Sequence, residues 1–160
     1  MHRFYWFDDG RLAGCSRPGA RPGRTGTPDD VREDLNTLAS RGISAVLSLT
    51  ETALPDDAIA AAGLISLHLP VTDFAAPGPA QFDRALRFID EHQAAGGAVA
   101  VHCLAGQGRT GSILAATRIR AGATAAEAIA QVREVCPGAV ESVEQTAALE
   151  VFARERSWLT

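Results

Sequence analysis

Ala98-Val99-Ala100-Val101-His102-Cys103-Leu104-Ala105-Gly106-Gln107-Gly108-Arg109-Thr110-Gly111 is the stretch from which the fold can be read. Ala98 to His102 is an apolar run of the kind that forms a strand buried on both faces. From Arg109 onward Ser112, Ile113, Leu114 and Ala116 continue as a helix toward Gly122. A strand passing through a short glycine loop into a helix belongs to a parallel sheet. In such sheets ligands bind at the carboxyl ends of the strands, where a helix start turns unpaired N–H groups and a positive field toward an anion. Gly106 and Gly108 let the backbone curl, so that the N–H groups of Leu104, Ala105, Gly106, Gln107 and Gly108 converge on one point.

Working outward, the alternation of strands and helices continues on both sides. Phe4 to Phe7 and Arg11 to Cys15 read as a hairpin turning at Asp8-Asp9-Gly10. Ser16 to Gly26, rich in Pro, Gly and Arg, is a loop wrapping over the domain. Thr27-Pro28-Asp29-Asp30 opens a helix with a hydroxyl cap, a first-position proline and two early carboxylates, and Val31, Leu35 and Leu38 share its inner face. Ile43 to Leu49 is a central strand, Pro55 to Ala62 a short helix closed by Gly63, and Leu64 to Leu69 the next strand. Pro79 to Ala95 is a helix with Phe82, Leu86 and Ile89 inward. Beyond Gly122, Thr124 with Glu127, and Ser142 with Gln145, are capping boxes that open two last helices, the first ended by Pro137 and the second carrying Leu149 and Phe152 inward. The predicted fold is α/β: one domain over residues 1–160, with a mostly parallel central sheet of about four or five strands, each apolar throughout, flanked by helices on both faces.

A net charge of -4 with 46% hydrophobic residues argues against a nucleic-acid binder or an anionic-membrane binder, both of which need a broad basic surface. An anion site must therefore be local. The three cysteines Cys15, Cys103 and Cys136 are too scattered for a disulfide framework or a zinc knuckle, which suits a reducing cytoplasm, and no apolar run is long enough for a membrane span. His68 and His92 lack companions for a metal site. No cofactor or metal is expected.

Cys103 stands where converging amides and the helix dipole favour thiolate over thiol. Arg109, six positions on, returns its guanidinium to the same point, where its planar fork suits two phosphate oxygens. Thr110 can donate its hydroxyl to the sulfur, and His102 supports the loop through hydrogen bonds. A proton donor for a leaving oxygen is best placed on a neighbouring loop. Asp73, which follows a strand and opens Asp73-Phe74-Ala75-Ala76-Pro77-Gly78, has that position. Glu51, at the end of a central strand, reads as a surface carboxylate rather than a brace for the loop. Cys15 and Cys136 read as packing residues.

His-Cys, five residues, then Arg-Thr resembles the signature loop of the protein tyrosine phosphatase superfamily. Gly10-Arg11-Leu12-Ala13-Gly14, Leu47-Ser48-Leu49-Thr50-Glu51, Leu69-Pro70-Val71-Thr72-Asp73-Phe74 and the stretch from Pro137 to Gln145 resemble its atypical dual-specificity group. The resemblance implies a minimal catalytic domain using Cys103 as nucleophile, Arg109 as phosphate ligand and Asp73 as general acid. It implies a phosphoprotein or phosphopeptide substrate carrying phosphotyrosine, with phosphoserine and phosphothreonine as further candidates, and phosphate or vanadate as active-site ligands. Glu141 and Gln145 match positions that line the site and orient the second-step water, or they are a loop brace and half of a capping box.

Two other readings stay open. A phosphoinositide or an RNA 5′ end is an alternative substrate, served by Arg17, Arg21 and Arg24 as a local basic rim, although Leu104, Ala105 and Gln107 place no basic side chain inside the loop. A binding module that holds phosphate without cleaving it is the other, and it has no need of both nucleophile and acid.

Overall fold

The computed structural model describes residues 1–157. The order along the chain is β1 (Phe4–Asp8), β2 (Leu12–Cys15), α1 (Pro28–Ser40), β3 (Ile43–Ser48), α2 (Asp56–Ala61), β4 (Ile65–His68), α3 (Pro79–Ala94), β5 (Ala98–His102), α4 (Gly108–Arg120), α5 (Ala125–Val135) and α6 (Val143–Ser157). The strands form a five-stranded sheet in the order β1-β2-β5-β3-β4. All neighbours are parallel except the β1–β2 hairpin.

Alternation along the strands divides the interior in two. Leu12, Ala45, Leu47, Val99 and Val101 face a core shared with α3, α4, α5 and α6, whereas Ala13, Cys15, Ile43, Val46, Ala98 and Ala100 face one shared with α1 and α2. Leu35 and Leu38 of α1 are fully buried on the second face, each contributing about 2 kcal/mol by removal from water. The sheet and its two helical layers are thus those expected. One strand differs: β4, expected to be apolar throughout, is an edge strand whose Ile65 is 58% exposed, because it has a neighbour on one side only.

The caps act as their residue types require. Thr27 Oγ1 accepts from Asp30 N–H at 3.2 Å and the Asp30 carboxylate accepts from Thr27 N–H at 2.8 Å, so Thr27 and Asp30 cap α1 reciprocally. Thr124 and Glu127 repeat the arrangement at α5. The loop from Ser16 to Gly26 is docked on α1, with Gly19 N–H donating to Asp34 at 2.6 Å.

Candidate active site

β5 ends at His102, and α4 begins at Gly108, so residues 103–107 form the connecting loop at the carboxyl edge of the sheet. The carbonyls of this loop and its ends are held outward one after another. His102 O accepts from Leu49 N–H (3.0 Å), Cys103 O from His102 Nδ1 (3.1 Å) and Leu104 O from Arg17 N–H (3.0 Å). Ala105 O accepts from Arg3 Nη1 (2.6 Å) and Gly106 O from the Tyr5 hydroxyl (2.7 Å). Gln107 O accepts from Gly111 N–H (2.8 Å) and Val140 N–H (3.3 Å), and Gly108 O from Ser112 Oγ (2.8 Å). In a planar trans peptide the N–H points opposite to the C=O. Holding the carbonyls out therefore turns the amides of residues 103–109 inward, which is how a nest for an oxyanion is made.

Two glycines are required by this geometry. Gly106 has φ +77°, and a Cβ there would lie 2.6 Å from the carbonyl carbon and oxygen of Cys15 at the end of β2. Gly14, opposite Tyr5 in the hairpin, leaves the space that the Tyr5 ring fills. Burial raises the Tyr5 pKa far above its ordinary value, so the hydroxyl remains a donor to Gly106.

Cys103 lies at the base of the loop, 2% exposed, and Thr110 Oγ1 donates to its sulfur at 3.1 Å. His102 is fully buried, and burial pushes its pKa down to about 3. Because Cys103 O can only accept, Nδ1 carries the proton, and Nε2 accepts from the Ser48 hydroxyl at 2.6 Å. The neutral ring thereby braces β5 against β3.

Arg109 is buried, at 2% exposure, and aims into the same region. Nη1 donates to Glu51 Oε1 (2.5 Å) and Val71 O (2.9 Å), and Nη2 lies 3.1 Å from Asp73 Oδ1. Nε is buried and has no hydrogen-bond partner among the described residues. The guanidinium is thus fixed along one edge while its Nε remains a donor for an acceptor from outside the chain. Arg17, Thr50, Glu51, Thr52, Asp73, Leu104 and Arg109 line a depression of about 400 Å³ above it.

Most of the expected residues meet here. Cys103, Arg109, Thr110 and Asp73 gather around the loop, and Glu141 and Gln145 border it: a Cβ on Gly108 would lie 2.8 Å from Glu141 Oε1 and 2.9 Å from Gln145 Nε2 and Oε1. Two expectations need correction. Glu51 is more than a surface carboxylate, since it clamps Arg109, and its own amide with the Arg109 guanidinium holds its pKa below the usual range. Arg17, Arg21 and Arg24 do not make a joint basic rim; of the three only Arg17, which lines the depression, is bound to neutral oxygens rather than to a carboxylate. Arg21 and Arg24 are paired with Asp34 and Asp30, and Arg17 donates to Thr50 Oγ1, Thr52 O and Ala53 O. Tyr5, Arg3, Arg17 and Ser48 were not foreseen as loop supports. A tyrosine facing a glycine across a short hairpin is the one sequence signal that pointed toward any of them.

Residues 19–123 match the family Tc-R-P, described as polymorphic toxin system, DSP-PTPase phosphatase. The chain belongs to this family. The chain is 37% identical over 93 residues to the uncharacterized protein MJECL20 of Methanocaldococcus jannaschii, covering 57% of this chain and 61% of that one. It is 29% identical over 134 residues to the phosphatidylglycerophosphate phosphatase PTPMT2 of Arabidopsis thaliana, covering 81% and 59%. The chain therefore spans about three-fifths of the length of the curated relatives it matches. Among solved structures it is similar to Tk-PTP in the active form, at 33% identity with a TM-score of 0.79 over 93% of this chain and 95% of that one. PTPMT1 shares the fold, at 20% identity with a TM-score of 0.82 over 98% of each chain. Among the described residues no helix is long and apolar enough to cross a membrane.

Proposed function

We propose that residues 1–160 form a single catalytic domain that hydrolyses phosphate monoesters through a phosphocysteine intermediate on Cys103, with phosphotyrosine in proteins as its substrate. The observation that carries this reading is the outward anchoring of the carbonyls from His102 to Gly108, which faces a ring of amides onto one small volume beside a buried sulfur and guanidinium.

In the first step the Cys103 thiolate attacks phosphorus, the bond to the leaving oxygen breaks, and Asp73 gives that oxygen its proton. The equatorial oxygens receive the loop amides and the free Nε of Arg109. In the second step water attacks phosphorus, Asp73 takes its proton, and the sulfur leaves as thiolate. Thr110 stabilises that thiolate through the 3.1 Å contact. Glu141 and Gln145, against Gly108, form the wall beside which this water is held.

A protein substrate is supported by the rim. Leu104 and Phe74, 51% and 58% exposed, offer apolar surface to an aromatic ring, and Arg21 and Arg24 are neutralised by Asp30 and Asp34. Within the atypical dual-specificity group, the flanking stretches resemble those of dual-specificity phosphatase 23. A second reading, an anionic phospholipid substrate, is favoured by the likeness to PTPMT2, named as a phosphatidylglycerophosphate phosphatase, and to PTPMT1, crystallised with PI(5)P.

The wild type is expected to hydrolyse para-nitrophenyl phosphate in EDTA and to be inhibited by vanadate. Cys103→Ser is expected to bind phosphotyrosine peptide without turnover; residual turnover by that variant refutes the nucleophile. Faster hydrolysis of phospholipid vesicles than of phosphotyrosine peptide selects the second reading.

A further inference from the structure

The loop that carries Asp73 is held in an uncommon shape. Phe74 has φ +64°, and with Val140 (φ +59°) it is one of two non-glycine residues at positive φ among the described residues. A bulky side chain in that region costs about 1–2 kcal/mol and persists only where neighbours over-determine it. Phe74 N–H donates to Asp73 Oδ1 at 3.0 Å, and Ala75 N–H closes a turn onto Thr72 O at 3.0 Å. Besides the Arg109 guanidinium, 3.1 Å from the Asp73 carboxylate, and a hydrogen bond between Glu51 and the Asp73 backbone, two restraints come from 68 and 70 positions away: Ser142 Oγ donates to Phe74 O at 2.7 Å, and Gln145 Nε2 donates to Ala75 O at 3.1 Å.

That distant anchor is itself fixed. Gln145 Oε1 accepts from the N–H groups of Glu141 (2.8 Å) and Ser142 (3.2 Å), and Ser142 Oγ accepts from Gln145 N–H (3.2 Å). Val140 N–H donates to Gln107 O, and Arg133 Nη2 to Val140 O at 3.0 Å. A continuous set of hydrogen bonds therefore runs from the phosphate loop through residues 140–145 to the carbonyl that follows Asp73.

From this we infer that Ser142 is a positioning residue for the general acid: its donated hydrogen bond, seconded by Gln145, holds the Phe74 carbonyl so that the Asp73 carboxyl stays beside Arg109. The inference rests on Asp73 being the acid. The Ser142 hydroxyl does two separable things, capping α6 as an acceptor and restraining Phe74 as a donor. Ser142→Asp keeps an equally good cap but has no hydrogen to give. Ser142→Thr keeps both.

The experiment compares kcat/KM for phenyl phosphate, whose phenoxide needs a proton, with that for para-nitrophenyl phosphate, whose anion leaves readily, in wild type, Ser142→Asp, Ser142→Ala, Ser142→Thr and Asp73→Asn. Losing one neutral hydrogen bond from the acid's support predicts that the phenyl to nitrophenyl ratio falls about 3- to 10-fold in Ser142→Asp and Ser142→Ala. Ser142→Thr is expected to restore the wild-type ratio, and Asp73→Asn to lower it furthest. Using the ratio cancels any general repulsion of substrate by the new carboxylate. If Asp73→Asn lowers the ratio and Ser142→Asp leaves it unchanged, the positioning role is overturned while the acid stands. A fall confined to Ser142→Ala assigns the effect to the helix cap and overturns it too. An unchanged ratio in Asp73→Asn removes the acid and this inference with it.

Discussion

Removing one oxygen atom, in Tyr5→Phe, tests whether the outward-held carbonyls are what aims the loop amides. The Tyr5 hydroxyl donates to Gly106 O at 2.7 Å, and the only other donor to that carbonyl among the described residues is the Cys136 thiol at 3.8 Å. The ring packs against the main core and faces Gly14, so phenylalanine fills the same space. Leaving a buried carbonyl without its donor costs about 1–3 kcal/mol, and in a domain of this size about 2 kcal/mol lowers Tm by about 4–8 °C. The functional consequence is more telling. The peptide that loses its anchor carries the Gln107 amide, so the dissociation constant for vanadate is expected to rise about 3- to 10-fold, about one hydrogen bond to a charged ligand loosened but not lost. Thermal unfolding and vanadate inhibition of para-nitrophenyl phosphate hydrolysis measure the two effects. A fall in Tm with unchanged vanadate affinity and unchanged kcat/KM would mean that the amides converge without the anchor, and the central geometric claim would be wrong.

Two further outcomes follow from charged and titrating groups. Glu51→Gln keeps an acceptor for Arg109 but removes its charge; as the carboxylate is half-exposed, kcat/KM is expected to fall only about two- to fivefold with Tm unchanged, and a loss of several hundredfold would show that Glu51 takes part in the chemistry. His102 binds its proton only near pH 3 when folded but near pH 6.5 when unfolded, so its contribution to stability is complete above about pH 6.5 and is lost by about 1.4 kcal/mol per pH unit as the pH falls toward 3. Urea unfolding from pH 4 to 7 should show that slope in the wild type and a shallower one in His102→Gln; identical slopes would deny His102 the neutral, buried role.

Much of this was legible in the chain itself. The strand, loop and helix around Cys103 follow from local rules: an apolar run, two glycines, and an arginine returned toward the cysteine by a six-residue curl. The hydroxyl cap at Thr27 and the capping boxes at Thr124 and Ser142 are equally local, because each is read within four residues. What escaped was whatever depends on strand order. A tyrosine facing Gly14 across the hairpin marks Tyr5 as placed, but nothing near it or Arg3 says that the partner is a carbonyl about a hundred positions away; the contact exists because β2 pairs in parallel with β5, which lays the N-terminal hairpin beside the loop. The same holds for Glu51, whose partner Arg109 reaches it only because β3 and β5 are neighbours. The edge position of β4 belongs to this class, since apolar composition marks a strand without saying how many neighbours it will have.

Tyr5 and Arg3 meet residues 106 and 105 across separations of 101 and 102 positions, and closing loops of that length makes such contacts late arrivals in folding. The hairpin precedes its partner strand β5 by more than eighty positions. Until β5 has been synthesised and slotted between β2 and β3, its tyrosine has no carbonyl to hold, so a nascent or half-refolded chain carries the cysteine without an organised cradle for phosphate. Recovery of vanadate binding should therefore trail the recovery of helical signal during refolding.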